Sequence, residues 1–309
     1  MIFYHLILLV TSLAILVWGA DKFVDNSSLI AKKFGLSELT IGLTIIALGT
    51  SAPEIFVGIS SIFNGTEALA MGTVIGSNIS NIALIFGVSC IGVSMRPAKT
   101  NLVQFIPFAI AAIILGLVLL DLKINVIEGW VLLIIFALFI FITYKYRGSE
   151  LDDQIEESAT GTITILLYLT VGLLALIGGS NFAVIHAEKI AYILNVPQLI
   201  IGLTIIALGT SLPELAATIS AIMKNKNDMV IGNVIGSNVM NIALVLPIIG
   251  FFSNTSFDST LLSRDYFVML IATILFVLLA ATYSSNKINL KFIRFVGCIF
   301  VAGYIGYIL

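Results

Sequence analysis

Residues 41–55 read IGLTIIALGTSAPEI, and residues 201–215 read IGLTIIALGTSLPEL. Thirteen of these fifteen positions are identical. At the same offset of 160 residues, GTVIGSNISNIAL at 72–84 and GNVIGSNVMNIAL at 232–244 agree at ten of thirteen positions. A match of this length without gaps indicates that the chain consists of two duplicated halves.

The composition of the chain excludes a soluble protein. Of its 309 residues, 59% are hydrophobic and only 10% are charged, and the mean hydropathy is +1.13. A soluble domain of ordinary composition has about 25% charged residues. The net charge of −2 offers no basic surface for a nucleic acid. The chain is therefore predicted to cross a membrane several times.

Apolar segments separated by polar loops predict the number of spans. A helix that crosses the hydrocarbon core needs about 20 apolar residues. We assign ten such segments, at 2–20, 39–63, 68–94, 101–120, 125–144, 162–180, 198–222, 229–252, 266–283 and 290–309. The predicted fold class is an all-α polytopic membrane protein with ten transmembrane helices, arranged as two inverted-topology repeats of five.

The predicted inversion follows from the odd number of spans in each half, because five spans leave the chain on the opposite side of the membrane. Loop charges agree: twelve Lys and Arg residues lie in the odd-numbered loops and three in the even-numbered loops. Because basic loops face the cytoplasm, both termini are predicted to be extracellular, in a protein of the cell membrane. The predicted units are a first repeat at 1–146, a short acidic cytoplasmic linker at 147–161 and a second repeat at 162–309.

Two acidic residues, Glu54 and Glu214, lie inside apolar spans at matched positions of the repeat. A carboxylate at the centre of a bilayer costs about 2.5–3.5 kcal/mol on insertion scales, so its presence indicates a function. A proline precedes each glutamate and is predicted to break the helix, at 49–53 and at 209–213. A broken helix at membrane depth is tolerated only beside protein or a wet cavity, where freed carbonyls can bind a cation.

Polar residues around the two glutamates fall on single helical faces, at spacings of three, four and seven residues. Every candidate ligand among them is an oxygen, which hard cations such as Ca²⁺ prefer. Inverted repeats are typical of secondary transporters, whose binding site lies near the middle of the membrane. The residues of the predicted site are Ala47, Thr50, Ser51, Glu54, Ser77, Asn81, Ala207, Thr210, Ser211, Glu214, Ser237 and Asn241.

Other distinctive positions are predicted to serve packing. The two histidines, His5 and His186, are isolated in the sequence and are expected to be interfacial or packed. Two pairs of glycines at a spacing of four fit helix contacts better than ligands. These pairs are Gly72 with Gly76 and Gly232 with Gly236.

The motifs GTSAPE at 49–54 and GTSLPE at 209–214, each followed by a Gly-Ser-Asn segment, resemble the two alpha repeats of the cation/calcium exchanger superfamily. The likeness covers nearly the whole chain and is greatest to the prokaryotic sodium/calcium antiporters. It implies exchange of extracellular Na⁺ for cytoplasmic Ca²⁺, typically three for one, with no cofactor and no obligate protein partner. It also implies that the first and sixth spans slide across the rest.

The resemblance implies a role for each site residue. Glu54 and Glu214 are the central carboxylates shared by Ca²⁺ and Na⁺. The Thr and Ser hydroxyls of the two motifs, the carbonyls of the alanines at 47 and 207, and the two serines at 77 and 237 supply Na⁺ ligands. Asn81 and Asn241 match the remaining central positions. Some relatives carry aspartate where this chain has Asn241, which argues against a K⁺ requirement here.

Three other classes of protein remain as alternatives. A Ca²⁺/H⁺ antiporter would use the same two glutamates as proton carriers. A cation channel would use the same polar lining without coupling to a counter-ion. A membrane enzyme is disfavoured because the sequence contains no nucleophile–base set, no metal-binding histidine pair and no cofactor motif.

Overall fold

The computed structural model describes residues 2–92, 102–147, 161–196, 207–253, 256–283 and 289–308. All regular structure in these ranges is helical. The helices are α1 (Ile2–Lys33), α2a (Glu38–Thr50), α2b (Ala52–Phe63), α3 (Glu67–Gly92), α4 (Leu102–Asp121), α5 (Val126–Lys145), α6 (Thr162–Ile193), α7a (Ala207–Thr210), α7b (Leu212–Met223), α8 (Asn227–Phe252), α9 (Leu261–Ala281) and α10 (Leu290–Ile308).

The all-helical membrane class predicted from the composition is confirmed. Among the described residues, eight helices are long and apolar enough to span a membrane, and the bent pair α2a–α2b makes a ninth. The predicted span at 198–222 begins in residues outside the described ranges, and its described remainder is short. The count of ten therefore stays a prediction, as does the linker at 147–161, most of which also lies outside the described ranges.

The first and sixth helices are longer than the spans predicted within them. Spans were expected at 2–20 and 162–180, but α1 and α6 each run for 32 residues. Each helix continues past the apolar stretch because the polar residues that follow include no proline or glycine before the helix ends. A helix of this length measures about 48 Å and exceeds the roughly 30 Å hydrocarbon core.

Helices α1 and α6 pack antiparallel through small residues. A Cβ added at Gly19 would lie 2.8 Å from the carbonyl oxygen of Gly172, and one added at Gly179 would lie 3.0 Å from that of Ser12. Only small residues allow such an approach of two backbones. The contacts are reciprocal, because the repeat offset of 160 converts Gly19 into Gly179 and Ser12 into Gly172.

Helices α3 and α8 occupy the centre of the molecule. In their most apolar stretches 78% and 83% of the residues are buried, against 17% in α1 and 22% in α6. Each central helix packs on a helix of the other half: Gly87 of α3 contacts Gly297 of α10, and Gly250 of α8 contacts Asn125, which caps α5. The central helix of each half therefore packs between helices of the other half.

The first half of the broken helix lies directly against α8. A Cβ added at Gly232 would meet the carbonyl oxygen of Leu39 at 2.5 Å and the Cα of Gly42 at 2.9 Å. Gly236 is equally close to the main chain of Leu43. The prediction that Gly232 and Gly236 make a helix contact is confirmed, and this contact holds α2a against the polar face of α8. The same prediction is wrong for Gly72 and Gly76, because a Cβ added at either position would have no described atom within 4 Å.

Candidate functional site

Both helix breaks occur where the prolines predict them. The helical main chain is interrupted at Ser51 (φ −81°, ψ 1°) and at Ser211 (φ −90°, ψ 3°), and a new helix starts with proline in its first turn. The axis turns by 49° at the first break. Glu54 and Glu214 lie in the first turns of α2b and α7b, beside the breaks, where the helix dipole favours negative charge.

The neighbouring helices α3 and α8 are distorted at matched positions. Each contains a π-helical turn, at Ser80–Phe86 in α3 and at Asn241–Val245 in α8. Such turns are rare and frequently mark functional sites, because they interrupt the regular hydrogen-bond ladder. Asn81 lies in the first turn and Asn241 begins the second, so both predicted amide ligands belong to these distorted segments.

Hydrogen bonds join the two breaks across the halves. The hydroxyl of Ser51 donates to Oε1 of Glu214 at 3.1 Å. The hydroxyls of Ser80 and Ser211 lie 2.7 Å apart. Because the first residue of each pair belongs to the first half and the second to the other half, the two motifs face each other.

A second set of bonds links α2a to α8 through Asn233. Oδ1 of Asn233 accepts from the hydroxyls of Thr50 at 3.3 Å and Ser237 at 3.4 Å. Its Nδ2 donates to the hydroxyl of Thr218 at 3.3 Å. Asn233 therefore orients two predicted site residues at once. The Nδ2 of Asn81 makes a similar link to α8, donating to Oδ1 of Asn238 at 3.1 Å.

Several polar atoms of the cluster, all but one of them oxygens, are buried without a hydrogen-bond partner among the described residues. Both carboxyl oxygens of Glu54, Oε2 of Glu214, Oδ1 of Asn81 and both polar atoms of Asn241 are of this kind. The two glutamates are each only 1% exposed. Leaving a polar group buried and unpaired costs about 1–3 kcal/mol, and more for a charged group. The arrangement is suited to a cation that these oxygens would bind.

The other predicted site residues lie around this cluster, with differences. Ala47 and Ser77 are buried, and the carbonyl of Ala47 already accepts the main-chain N–H of Ser51 at 3.0 Å. Thr210 is only half-buried. The alanine at 207 begins α7a. The carbonyl of Gly209, expected to be freed by proline, accepts from the hydroxyl of Ser180 at 3.0 Å.

The two halves of the site are not equivalent, and the sequence prediction missed why. Ser80 occupies the hydroxyl of Ser211, whereas its counterpart in the second half is Met240, which has no hydroxyl. Ser51 consequently donates a hydrogen bond to Glu214, whereas Glu54 has no side-chain hydrogen-bond partner in the described part of the chain. The difference between Ser80 and Met240 at matched positions of the repeat was the signal in the sequence, because a hydroxyl present in only one half makes the two halves of the site different.

Comparison with known proteins agrees with this geometry. The family model described as "Sodium/calcium exchanger protein" matches residues 4–145 and 164–309. The protein CaxA of Alkalimonas amylolytica is 36% identical over 97% of this chain and 96% of its own length. The Sodium/calcium exchanger MaX1 of Methanosarcina acetivorans is 31% identical over 82% of this chain and 84% of its own length.

A solved structure has the same fold. It is the sodium-calcium exchanger NCX_Mj, soaked with Na⁺ and Sr²⁺, which matches with a TM-score of 0.84 at 31% identity and covers 100% of this chain and 99% of that chain. The resemblance seen in the two alpha repeats is thereby confirmed, and the family is one of transporters and not of enzymes. The chain, a multi-pass helical membrane protein, belongs to the sodium/calcium exchanger family.

Proposed function

We propose that this chain exchanges Na⁺ for Ca²⁺ at one site built around Glu54 and Glu214, with the remaining predicted residues as flanking oxygen ligands. The observation that carries the proposal is the pair of buried carboxyl groups beside two facing helix breaks, with three of their four oxygens unpaired among the described residues. Cation binding would compensate the part of the burial cost that the Ser51 hydrogen bond and the two helix dipoles leave uncompensated.

The chemistry of the cluster supports Ca²⁺ and Na⁺ over softer metals. The proposed ligands are carboxylate, hydroxyl, amide and main-chain oxygens, and the cluster contains neither histidine nor cysteine. Ca²⁺ takes six to eight oxygen ligands in flexible geometry, whereas softer metals prefer sulfur or imidazole. Asn241 contributes an amide where an aspartate would add a third charge, so the site carries two charges and no more.

Charge balance provides a reason for obligatory exchange. With both glutamates ionised the empty site carries −2, one Ca²⁺ brings it to 0, and three Na⁺ bring it to +1. Enclosing the empty −2 site in low dielectric would be costly, so the loaded states cross and the empty one does not. Exchange of three Na⁺ for one Ca²⁺ moves one charge, and the membrane potential then contributes about 2.3 kcal/mol per 100 mV.

An inverted arrangement of the two repeats accounts for alternating access. The antiparallel, reciprocal packing of α1 on α6 supports it, as does the match of the family model to each half. If the chain has ten spans, the excess of Lys and Arg in the odd-numbered loops places both termini on the extracellular side of the cell membrane and the linker in the cytoplasm. The first and sixth helices, which are among the least buried and pack mainly on each other, are the elements that would slide.

Flux into proteoliposomes tests the proposal. An outward-directed Na⁺ gradient should drive ⁴⁵Ca²⁺ uptake and a net current, whereas a pH gradient alone should not. Uptake driven by protons without Na⁺ would establish the Ca²⁺/H⁺ antiporter instead. Ca²⁺ conductance without any counter-ion would establish a channel. Electroneutral Na⁺-driven uptake would reject the ratio of three to one.

A further inference from the structure

The two histidines of the chain lie against each other, although they are 181 residues apart and isolated in the sequence. Nδ1 of His5 and Nδ1 of His186 are 3.2 Å apart. The ring centroids are 5.4 Å apart, and the ring planes differ by 35°. Both residues are half-buried. They lie at the end of the α1–α6 contact where α1 begins.

The helix register explains this juxtaposition. His5, Ser12 and Gly19 recur every seven residues on α1, and Gly172, Gly179 and His186 do so on α6. Residues at this spacing share one face of a helix, and the pairs Gly19–Gly172 and Ser12–Gly179 already touch. The next antiparallel pair in that series is His5 with His186. The close contact of the imidazoles thus follows from the packing of two rigid helices.

We propose that His5 and His186 form a binding site for a divalent transition metal, with Zn²⁺ as the representative ion. Tetrahedral Zn²⁺ with bonds of about 2.0–2.1 Å holds two nitrogen ligands about 3.4 Å apart. The observed Nδ1–Nδ1 distance of 3.2 Å, at which the two rings share a hydrogen bond, is close to this edge, so a metal could replace the hydrogen bond with little movement of the helices. Water would complete the coordination, because the pair is partly open to solvent. The metal would take the place of the proton that the two nitrogens share.

This site differs in chemistry from the proposed transport site. Two imidazole nitrogens select Zn²⁺, Ni²⁺ or Cu²⁺ and offer little to Ca²⁺ or Na⁺, which require oxygen. No other imidazole exists in the chain. Lys189 lies within electrostatic range of His5, and its positive charge opposes a bound cation. Tyr4 contacts the His5 ring edge-on, with 5.2 Å between the centroids.

The experiment is a Zn²⁺ titration of the full-length chain in detergent, purified with a polyhistidine tag that is then removed. One Zn²⁺ should bind per chain and raise the thermal unfolding temperature. His5→Ala and His186→Ala should each weaken binding by more than about tenfold, because even the loss of an outer-shell partner of a metal ligand costs about 10–100-fold in affinity. Lys189→Gln should tighten it, because the opposing charge is removed.

Two control variants separate this site from other metal ligands. Cys298→Ser removes an exposed thiol and should leave Zn²⁺ binding unchanged. Glu54→Gln alters the proposed transport site and should also leave it unchanged. The proposal is overturned if His5→Ala and His186→Ala bind Zn²⁺ as the unaltered chain does, or if the unaltered chain binds none. The outcome does not depend on whether the chain transports Ca²⁺.

Discussion

Replacing Gly232 by alanine adds one methyl group where α2a and α8 touch through their backbones. The new Cβ would lie 2.5 Å from the carbonyl oxygen of Leu39, 2.7 Å from the main-chain nitrogen of Leu43 and 2.9 Å from the Cα of Gly42. Ordinary contact requires 3.4–4 Å. Because all three neighbours are backbone atoms, no side chain can turn away, and the helices must separate by about 1 Å.

That separation should impair transport more than it lowers the stability of the protein, because it breaks a hydrogen bond between the two helices that line the site. The Thr50–Asn233 hydrogen bond, at 3.3 Å, spans the same two helices, and at about 3.6 Å or beyond it no longer counts as a bond. Overpacking costs about 1–3 kcal/mol. Alanine recovers about 1 kcal/mol of helix preference over glycine. We expect a net destabilisation of about 0–2 kcal/mol and, from a misplacement of 1 Å, about a hundredfold loss of flux.

Na⁺-driven ⁴⁵Ca²⁺ uptake in proteoliposomes and thermal unfolding in detergent measure the two effects. The matched control is Gly303→Ala on α10, an exposed helical glycine with nothing described within 4 Å of the added Cβ. It should keep full uptake and equal or slightly higher stability. If Gly232→Ala transports normally and is as stable as the control, the argument that this contact sets the geometry of the site is wrong.

Three further predictions concern charge. Glu54→Gln and Glu214→Gln should each abolish Ca²⁺ uptake in a folded protein, because one of two neutralising charges is lost; near-normal flux in either would remove that carboxylate from the site. Asn241→Asp adds a titratable group to the site and should make uptake depend on pH between about 4 and 8; an unchanged pH profile would place Asn241 elsewhere. Lys224→Met removes ion pairs to Asp21 at 2.5 Å and to Asp25 at 2.7 Å, together with a hydrogen bond to the main-chain oxygen of Asp21 at 3.0 Å. It should lower stability by about 1 kcal/mol at low salt, and 1 M NaCl should remove most of that difference in thermal unfolding. The same loss at both salt concentrations would show that packing or the hydrogen bond, and not charge, is responsible.

The membrane class, the duplicated halves and the two helix breaks could be predicted from the sequence because each follows from local chemistry. Low charge and long apolar runs leave no soluble alternative, and a proline removes a main-chain hydrogen-bond donor from the helix that contains it. Glu54 and Glu214 could be identified for the same reason, because an acidic residue in an apolar span is costly in any fold.

Only the tertiary structure decided which helices meet and in what register. The seven-residue spacing on α1 and α6 can be seen in the sequence. The sequence does not show, however, that α1 packs on α6, and so it does not predict that His5 contacts His186. Asn233 becomes a partner of Thr50 only because Gly232 lets α2a approach α8. The inequality of Glu54 and Glu214 likewise depends on which hydroxyl Ser80 reaches. These contacts join residues 131 or more positions apart, and such pairings are set by packing, not by local preference.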